Sequence, residues 1–411
     1  MATKPGSMRR RIALSVTIAA LVAVATVGAY VPLALTAPLD SATSSTAEWS
    51  PPVAPETDLD WPSYGSGAIG AAGYGADLAV HGDQGSRPMA SISKIVTALV
   101  VLDEAPLGPD ESGPVIEFTD EDLEIYLDFV RQNGSVEPVA PGSRLTQREV
   151  LELVVVPSAN NYAVSLTNWV FGSQEAYVDA AAEWLDENGL DSTRLVEPTG
   201  ISPRNVSSAT DLVRIGMLAL DTPVLAEIVS TPVISVPGFG PIESTNLLLG
   251  GNDGVDGIKT GNTEEAGSCL LFSTDVEVGG ESITVVGVVL GGETRESLAA
   301  AVDGLLDDVR AGFTELVVVD EGQVFASFET EWGDSAQAVA SERVADIVWS
   351  SPPVTTDVVV DDVVTATAGE TVGSVTVVVD GVEQTVPLTL DAPLEAPSIE
   401  WRLSNPRRLM P

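Results

Sequence analysis

The sequence predicts an α+β body followed by a small all-β domain, behind an apolar N-terminal segment. Three observations carry this. Between Ser93 and Leu220 apolar residues recur at helical spacing, and strand-like runs follow at Ser268–Thr274 and Ser282–Leu290. After Phe313 helical periodicity gives way to β-branched runs separated by turns. From Ile12 to Leu39 no side chain is charged. A length of 411 residues is ample for two domains beyond a targeting segment.

At the N-terminus, Arg9, Arg10 and Arg11 precede Ile12–Tyr30, which is almost wholly apolar. About 20 apolar residues span a bilayer as a helix, whereas a secretory signal core has about 7–15. The length favours an uncleaved anchor, with residues 1–11 as a cytoplasmic tail and 12–36 as the transmembrane segment. Arginines stay inside, so the rest of the chain is expected outside, held at the cell membrane. The alternative is a signal peptide cut near Ala34–Ala37 and a secreted body. Residues 37–60, rich in Pro, Ser and Thr, read as a linker. The body is assigned to 61–314, the all-β domain to 315–400 and a tail to 401–411.

The net charge of −41 argues against nucleic acid as a partner and against binding to an anionic membrane surface, since both need a basic face. One histidine and one cysteine cannot supply a usual metal-ligand set or an intrachain disulfide. Gly65–Ser66–Gly67–Ala68–Ile69–Gly70 matches the dinucleotide fingerprint, but no helix follows to receive a pyrophosphate. No cofactor is expected. His81 lies in a glycine-flanked turn, where a surface role outweighs a place in a Ser-His-acid triad.

The body opens on a loop that enters a helix at Ser91–Ile92–Ser93–Lys94, with Ile95, Ala98, Leu99 and Leu102 in helical register. Residues at i and i+3 share a helix face, which places the Ser91 hydroxyl beside the Lys94 amine. A neutral lysine can take the serine proton and make it a nucleophile. Alone, Ser-x-x-Lys is a weak signal that more often describes a capping serine and a solvated lysine. The lysine count alters that balance. The chain has only Lys4, Lys94 and Lys259; every other cation is arginine. Arginine cannot act as a base, whereas lysine shifts its pKa readily when desolvated.

Further along, Phe118–Gly134 reads as an acidic amphipathic helix capped by Thr119, and Thr146 with Glu149 forms a capping box for the next. That helix ends at Val156–Pro157–Ser158–Ala159–Asn160, a turn that projects a hydroxyl and a carboxamide. Ser and Asn are also ordinary turn formers. Tyr177–Asn188, Ala209–Leu220 and Ser297–Phe313 read as helices. Asp253–Gly257 reads as a turn leading into Lys259–Thr260–Gly261, on or beside a strand able to grip an extended ligand. Cys269, among Leu270, Leu271 and Phe272, reads as a buried thiol.

Ser91/Lys94, Ser158/Asn160 and Lys259/Thr260/Gly261 follow the order of motifs in penicillin-recognising serine enzymes. With Glu197–Pro198–Thr199–Gly200–Ile201–Ser202 and Gly254–Val255–Asp256–Gly257–Ile258–Lys259–Thr260–Gly261, the stretch from Ser66 to Phe313 resembles the D-alanyl-D-alanine carboxypeptidases, the low-molecular-mass penicillin-binding proteins. The resemblance implies a penicillin-binding-protein/β-lactamase-like transpeptidase domain, with a five-stranded antiparallel sheet, packed helices and a helical lobe. It implies that Ser91 attacks the penultimate D-Ala carbonyl of a peptidoglycan stem peptide ending in D-Ala-D-Ala. Lys94 would be the general base, Ser158 the proton relay and Asn160 the holder of the stem amide. Lys259 and Thr260 would bind the terminal carboxylate, with Gly261 beside them. The N–H groups of Ser91 and Asn262 would bind the oxyanion, and β-lactams would be covalent inhibitors. Asn262–Thr263 stands where the family often has an aromatic or histidine, which bears on substrate preference. Ala159 replaces the family's usual glycine.

Two alternatives share parts of the pattern. A β-lactamase would need a glutamate to activate the deacylating water, and Glu175, Glu183 and Glu197 lack a Glu-x-x-Leu-Asn setting. A non-catalytic wall-binding module would gain nothing from lysine over arginine at position 94. In the all-β domain, Leu316–Val319, Val324–Phe328, Val344–Trp349, Val358–Val360, Val372–Val379 and Thr385–Leu390 read as strands, and the domain as a spacer. The Trp401–Arg408 tail is too short and proline-broken for a membrane helix, so anchoring is expected from the N-terminus.

Overall fold

A computed structural model describes residues 5–251, 254–406 and 408. Lys4, Asp253 of the turn ahead of Lys259, and Arg407 of the tail lie outside the described residues. Contacts divide the chain into two units, Pro55–Thr314 and a second made of Met1–Ala54 with Glu315–Pro411.

In the second unit the N-terminal helix runs Pro5–Thr36. It starts earlier than position 12 because nothing after Pro5 breaks it, and proline is well suited to a first helical turn. Its Arg10–Thr36 part is long and apolar enough to cross a membrane, with mean hydropathy 2.3 and none of its apolar window buried. Ile12, Leu21 and Val24 are exposed, as lipid-facing side chains are. The helix can anchor the chain at the membrane with an extracytoplasmic body.

The segment expected as a linker is partly sheet. Thr43–Thr46 pairs antiparallel with Val324–Glu329, Ser44 opposite Phe328, and Ala42 and Ala54 are buried. A Thr-rich run has good β-propensity, and it covers the backbone groups of an edge strand. The six-stranded sheet continues through Ser335–Ala340, Val382–Leu390 and Thr371–Val379 to Val354–Val360. Ser335–Ala340 escaped the sequence reading because its inward residues are only Ala336, Ala338 and Ala340.

The Pro55–Thr314 unit holds a five-stranded antiparallel sheet. Its strands are β1 (Ser66–Ala71), β2 (Gly75–Gly82), β3 (Val255–Thr263), β4 (Gly267–Val278) and β5 (Glu281–Gly292), ordered β3-β4-β5-β1-β2. The glycine fingerprint is therefore strand β1. Leu271, Val286 and Val288 share a core with Leu212 and Ile215 of helix Ala209–Leu220, whereas Phe272, Val285 and Val289 are buried outside that core. Burial on both faces explains runs such as Leu270–Leu271–Phe272, which lack the alternation of a half-exposed strand. Helix Arg295–Gly312 packs on β4 and β5.

The helical lobe contains α1 (Ser93–Glu104), α2 (Asp120–Arg131), α3 (Gln147–Val155), α4 (Asn160–Phe171) and α5 (Gln174–Glu187). The capping boxes at Thr119 and Thr146 are both formed, the latter with Glu149 as expected. Helix α1 is buried from Ser93 to Leu102, on all sides rather than along one stripe. It is the axis of the unit, and it carries the lysine.

Candidate active site

Ser91 lies in a single 3₁₀ turn, Ala90–Ile92, that runs directly into α1. The preceding Ala90 has φ +49°. A non-glycine residue there costs about 1–3 kcal/mol and persists only where its surroundings hold it. Here Ser93 Oγ donates to Ala90 O at 2.8 Å and accepts from Asn205 Nδ2 at 3.2 Å. Met89 N donates to Asn205 O at 3.2 Å. The nucleophile loop is pinned from two sides.

Lys94, the second residue of α1, is 0% exposed. Its Nζ lies 2.9 Å from Ser91 Oγ and donates to Thr199 O at 2.7 Å. Burial lowers its pKa to about 7, against the charge of Glu197, which raises it. Near neutral pH a large fraction of the amine is thus free to accept a proton.

The Thr199 carbonyl is held by an arrangement that sequence reasoning did not assign. Glu197 accepts from Thr199 N and Oγ1 at 2.7 Å each, from Gly200 N at 2.8 Å and from Ser202 N at 3.2 Å. Asn205 Nδ2 donates to Glu197 O at 2.8 Å, and Thr97 Oγ1 donates to Pro198 O at 2.8 Å. Glu197 stood out as part of a family-like stretch and among the glutamates weighed for water activation; nothing in the spacing marked Asn205 or Thr97. The carboxylate is occupied by its own loop, unlike a water-activating glutamate. Glu175 and Glu183 both lie in α5.

Ser158 occupies the turn between α3 and α4 with φ +68°, and its buried Oγ has no hydrogen-bond partner among the described residues. Asn160, also buried, is fixed through its backbone, whose N–H donates to Ser135 O at 2.8 Å. The next two residues brace the same loop. Asn161 pairs with the backbone of Glu137, and Tyr162 OH donates to Pro138 O at 2.9 Å.

Strand β3 is the free edge of the sheet. A β-carbon at Gly261 would lie 2.9 Å from Ala90 Cβ and 3.1 Å from Ser91 N, so the strand approaches the nucleophile as only glycine allows. Thr260 Oγ1 lies 2.6 Å from Thr245 Oγ1. Lys259 is 1% exposed, and its ammonium has no partner among the described residues. Burial, then the charges of Lys94 and Arg295, push its pKa well below the ordinary lysine range. Asn262 is exposed and turns its side chain to Ser268 Oγ at 3.1 Å.

The structure thus joins Ser91 to Lys94 directly, sets Gly261 against Ser91, and couples Lys259 to Lys94 electrostatically. Ser158 stays in its turn without a hydrogen bond to either. Outside this group, His81 stacks on Trp61 with ring centroids 5.5 Å apart, and Cys269 is buried with its pKa pushed up to about 11.

The family model of the D-alanyl-D-alanine carboxypeptidases matches residues 75–294, more than half of the chain. The chain belongs to that family. The match takes in all three motifs and the Glu197 loop. Among its family relatives, the D-alanyl-D-alanine endopeptidase of Pseudomonas aeruginosa is 35% identical over 196 residues, 46% of this chain and 60% of the relative. That of Escherichia coli is 33% identical over 46% of this chain and 59% of its own length. The D-alanyl-D-alanine carboxypeptidase DacF of Bacillus subtilis is 26% identical over 53% of this chain and 54% of its own length. The matches therefore span less than two thirds of each of these relatives. In fold, the chain is similar to the Streptococcus pneumoniae peptidoglycan synthesis regulatory factor PBP3, with TM-score 0.58, 23% identity, and coverage of 82% of this chain and 100% of that one.

Proposed function

We propose that this protein is a serine-type D-Ala-D-Ala carboxypeptidase that removes the terminal D-alanine from peptidoglycan stem peptides. The observation that carries the reading is the 2.9 Å contact between Ser91 Oγ and a fully buried Lys94 whose pKa is lowered to about 7. Ser91 Oγ attacks the penultimate D-Ala carbonyl carbon, and its proton passes to Lys94 Nζ. The oxyanion develops against the N–H groups of Ser91 and Asn262. As the C–N bond breaks, the leaving amine of D-alanine takes a proton relayed through the Ser158 hydroxyl. Water then adds to the acyl carbon, and Ser91 recovers its proton as the ester breaks. Asn160 holds the stem amide. Lys259 and Thr260 bind the terminal carboxylate; a buried Nζ with no other partner among the described residues gains its proton and a charge-assisted hydrogen bond as the carboxylate arrives. A β-lactam acylates Ser91 by the same attack and stays.

Endopeptidase cleavage of cross-links is a second reading, favoured by the names of the Pseudomonas aeruginosa and Escherichia coli relatives at 35% and 33% identity. The acyl-serine is the same, and the leaving amine belongs to a neighbouring stem. The test incubates the full chain, in detergent, with pentapeptide monomers and with cross-linked dimers. The proposal expects free D-alanine from the monomers and none with Ser91→Ala. Conversion of dimers to monomers without D-alanine release would replace it by the second reading. Neither product from folded protein would overturn both.

A further inference from the structure

The sequence places the membrane contact in the N-terminal helix alone, yet the structure brings a second segment to the outer end of that helix. At 1.5 Å per residue, about 20 residues from Ile12 cover a hydrocarbon core of about 30 Å and reach the level of Tyr30–Val31. Pro32 to Thr36 then rise through the headgroup layer. Against this stretch lies a short helix, Ile399–Ser404. Tyr30 OH donates to Leu403 O at 2.8 Å, and Arg402 Nη1 donates to Ala37 O at 2.9 Å and Ala34 O at 3.3 Å. The guanidinium satisfies carbonyls that a helix C-terminus leaves open and meets its negative dipole end.

The side chains gathered there have the composition of a membrane interface. Trp401 meets Trp332 edge-on with centroids 5.9 Å apart, and Trp332 Nε1 donates to Glu395 O at 2.8 Å. Ile399 is 66% exposed. Tyrosine and tryptophan are enriched where one end of the ring is apolar and the other wet. Charges of both signs meet there: Glu400 shares the short helix with Arg402, and Arg408 Nη1 lies 3.8 Å from the Glu331 carboxylate. Arg402 uses one nitrogen on the helix carbonyls, which leaves other donors for a phosphate.

We propose that Ile399–Ser404 and Trp332 form a membrane-interface collar on the anchor, with their tryptophan rings and Arg402 in the phospholipid headgroup layer. The collar adds a second contact to the bilayer and ties the C-terminal β-domain to it.

The test reconstitutes the full chain in phosphatidylcholine nanodiscs carrying a nitroxide either near the headgroup or near the acyl terminus. The chain has seven tryptophans, so the signal is the difference from Trp332→Phe/Trp401→Phe, with circular dichroism to show that the double variant is folded. The shallow label should quench that difference signal at least twofold more than the deep one. Equal quenching of the wild type and the double variant by the shallow label, or stronger quenching by the deep label, would overturn the collar. Replacing part of the lipid by phosphatidylglycerol should increase shallow quenching in the wild type but not in Arg402→Gln. No increase in the wild type would overturn the arginine–phosphate contact.

Discussion

Gly200 faces Ala90 so closely that a β-carbon on it would lie 1.9 Å from the Ala90 carbonyl oxygen. Gly200 itself has φ +83°. Two left-handed residues therefore meet directly behind the nucleophile, one on the Ser91 loop and one on the loop whose carbonyl holds Lys94. Neither backbone can move without the other.

Gly200→Ala should accordingly act on chemistry rather than on folding alone. The added methyl must displace the Ala90 carbonyl and with it Ser91. Acylation by benzylpenicillin should fall at least 100-fold, with native circular dichroism retained. Gly304→Ala, in helix Arg295–Gly312 with nothing within 4 Å of the new methyl, should leave the rate unchanged and stabilise by about 0.5–1 kcal/mol. Equal effects of the two substitutions would contradict the steric argument.

Lys94 as the base sets a pH profile. With its pKa lowered to about 7, acylation should rise through neutral pH as the amine deprotonates. Lys94→Arg keeps the charge but cannot accept the proton, and should cost about 100- to 10,000-fold. Stability follows the same shift. The unfolded state binds the lysine proton up to its ordinary pKa near 10.4 and the folded state only to about 7, so the contribution of Lys94 to stability rises with pH across that window. Denaturation of Lys94→Met should show a shallower rise between pH 7 and 10. An unchanged slope would remove the lysine from the account.

Lys259 should register its ligand as a proton. Its pKa is held down first by burial and then by the neighbouring Lys94 and Arg295, and a bound carboxylate opposes that shift. Binding of a D-Ala-terminated peptide to Ser91→Ala at pH 8 should take up protons, seen as a dependence of the calorimetric heat on buffer ionisation enthalpy. Lys259→Met should abolish the uptake and weaken binding at least tenfold.

Glu197→Gln separates a structural carboxylate from a catalytic one. Four backbone and hydroxyl donors converge on it, and a carboxamide can accept at only one of its two ends. A loss of about 1–3 kcal/mol in stability is expected. Because its charge raises the Lys94 pKa, removing it should shift the acid limb of the acylation profile to lower pH. Deacylation should be little changed; a trapped acyl-enzyme unique to this variant would make Glu197 the water-activating group instead.

The motif residues were legible because their chemistry restricts residue type. Two lysines retained among arginines, at positions 94 and 259, stand out in a single sequence. The helix limits were legible where Thr119, Thr146 and Glu149 cap them. Parts of the site that depend on distance in sequence were not. The Thr199 carbonyl reaches Lys94 across 105 residues, and Asn205 reaches Ser93 across 112, with no local pattern to mark either. The strand at Thr43–Thr46 was hidden by a composition typical of tethers, and Ser335–Ala340 by its alanines. In both, pairing with a neighbouring strand decides the conformation rather than intrinsic preference.

The most direct test of the central claim is intact mass spectrometry of the full chain after incubation with benzylpenicillin, alongside Ser91→Ala. The account predicts one penicilloyl adduct per chain, mapped to Ser91 and absent from the variant. An adduct on another residue, or none on a folded chain, would contradict it.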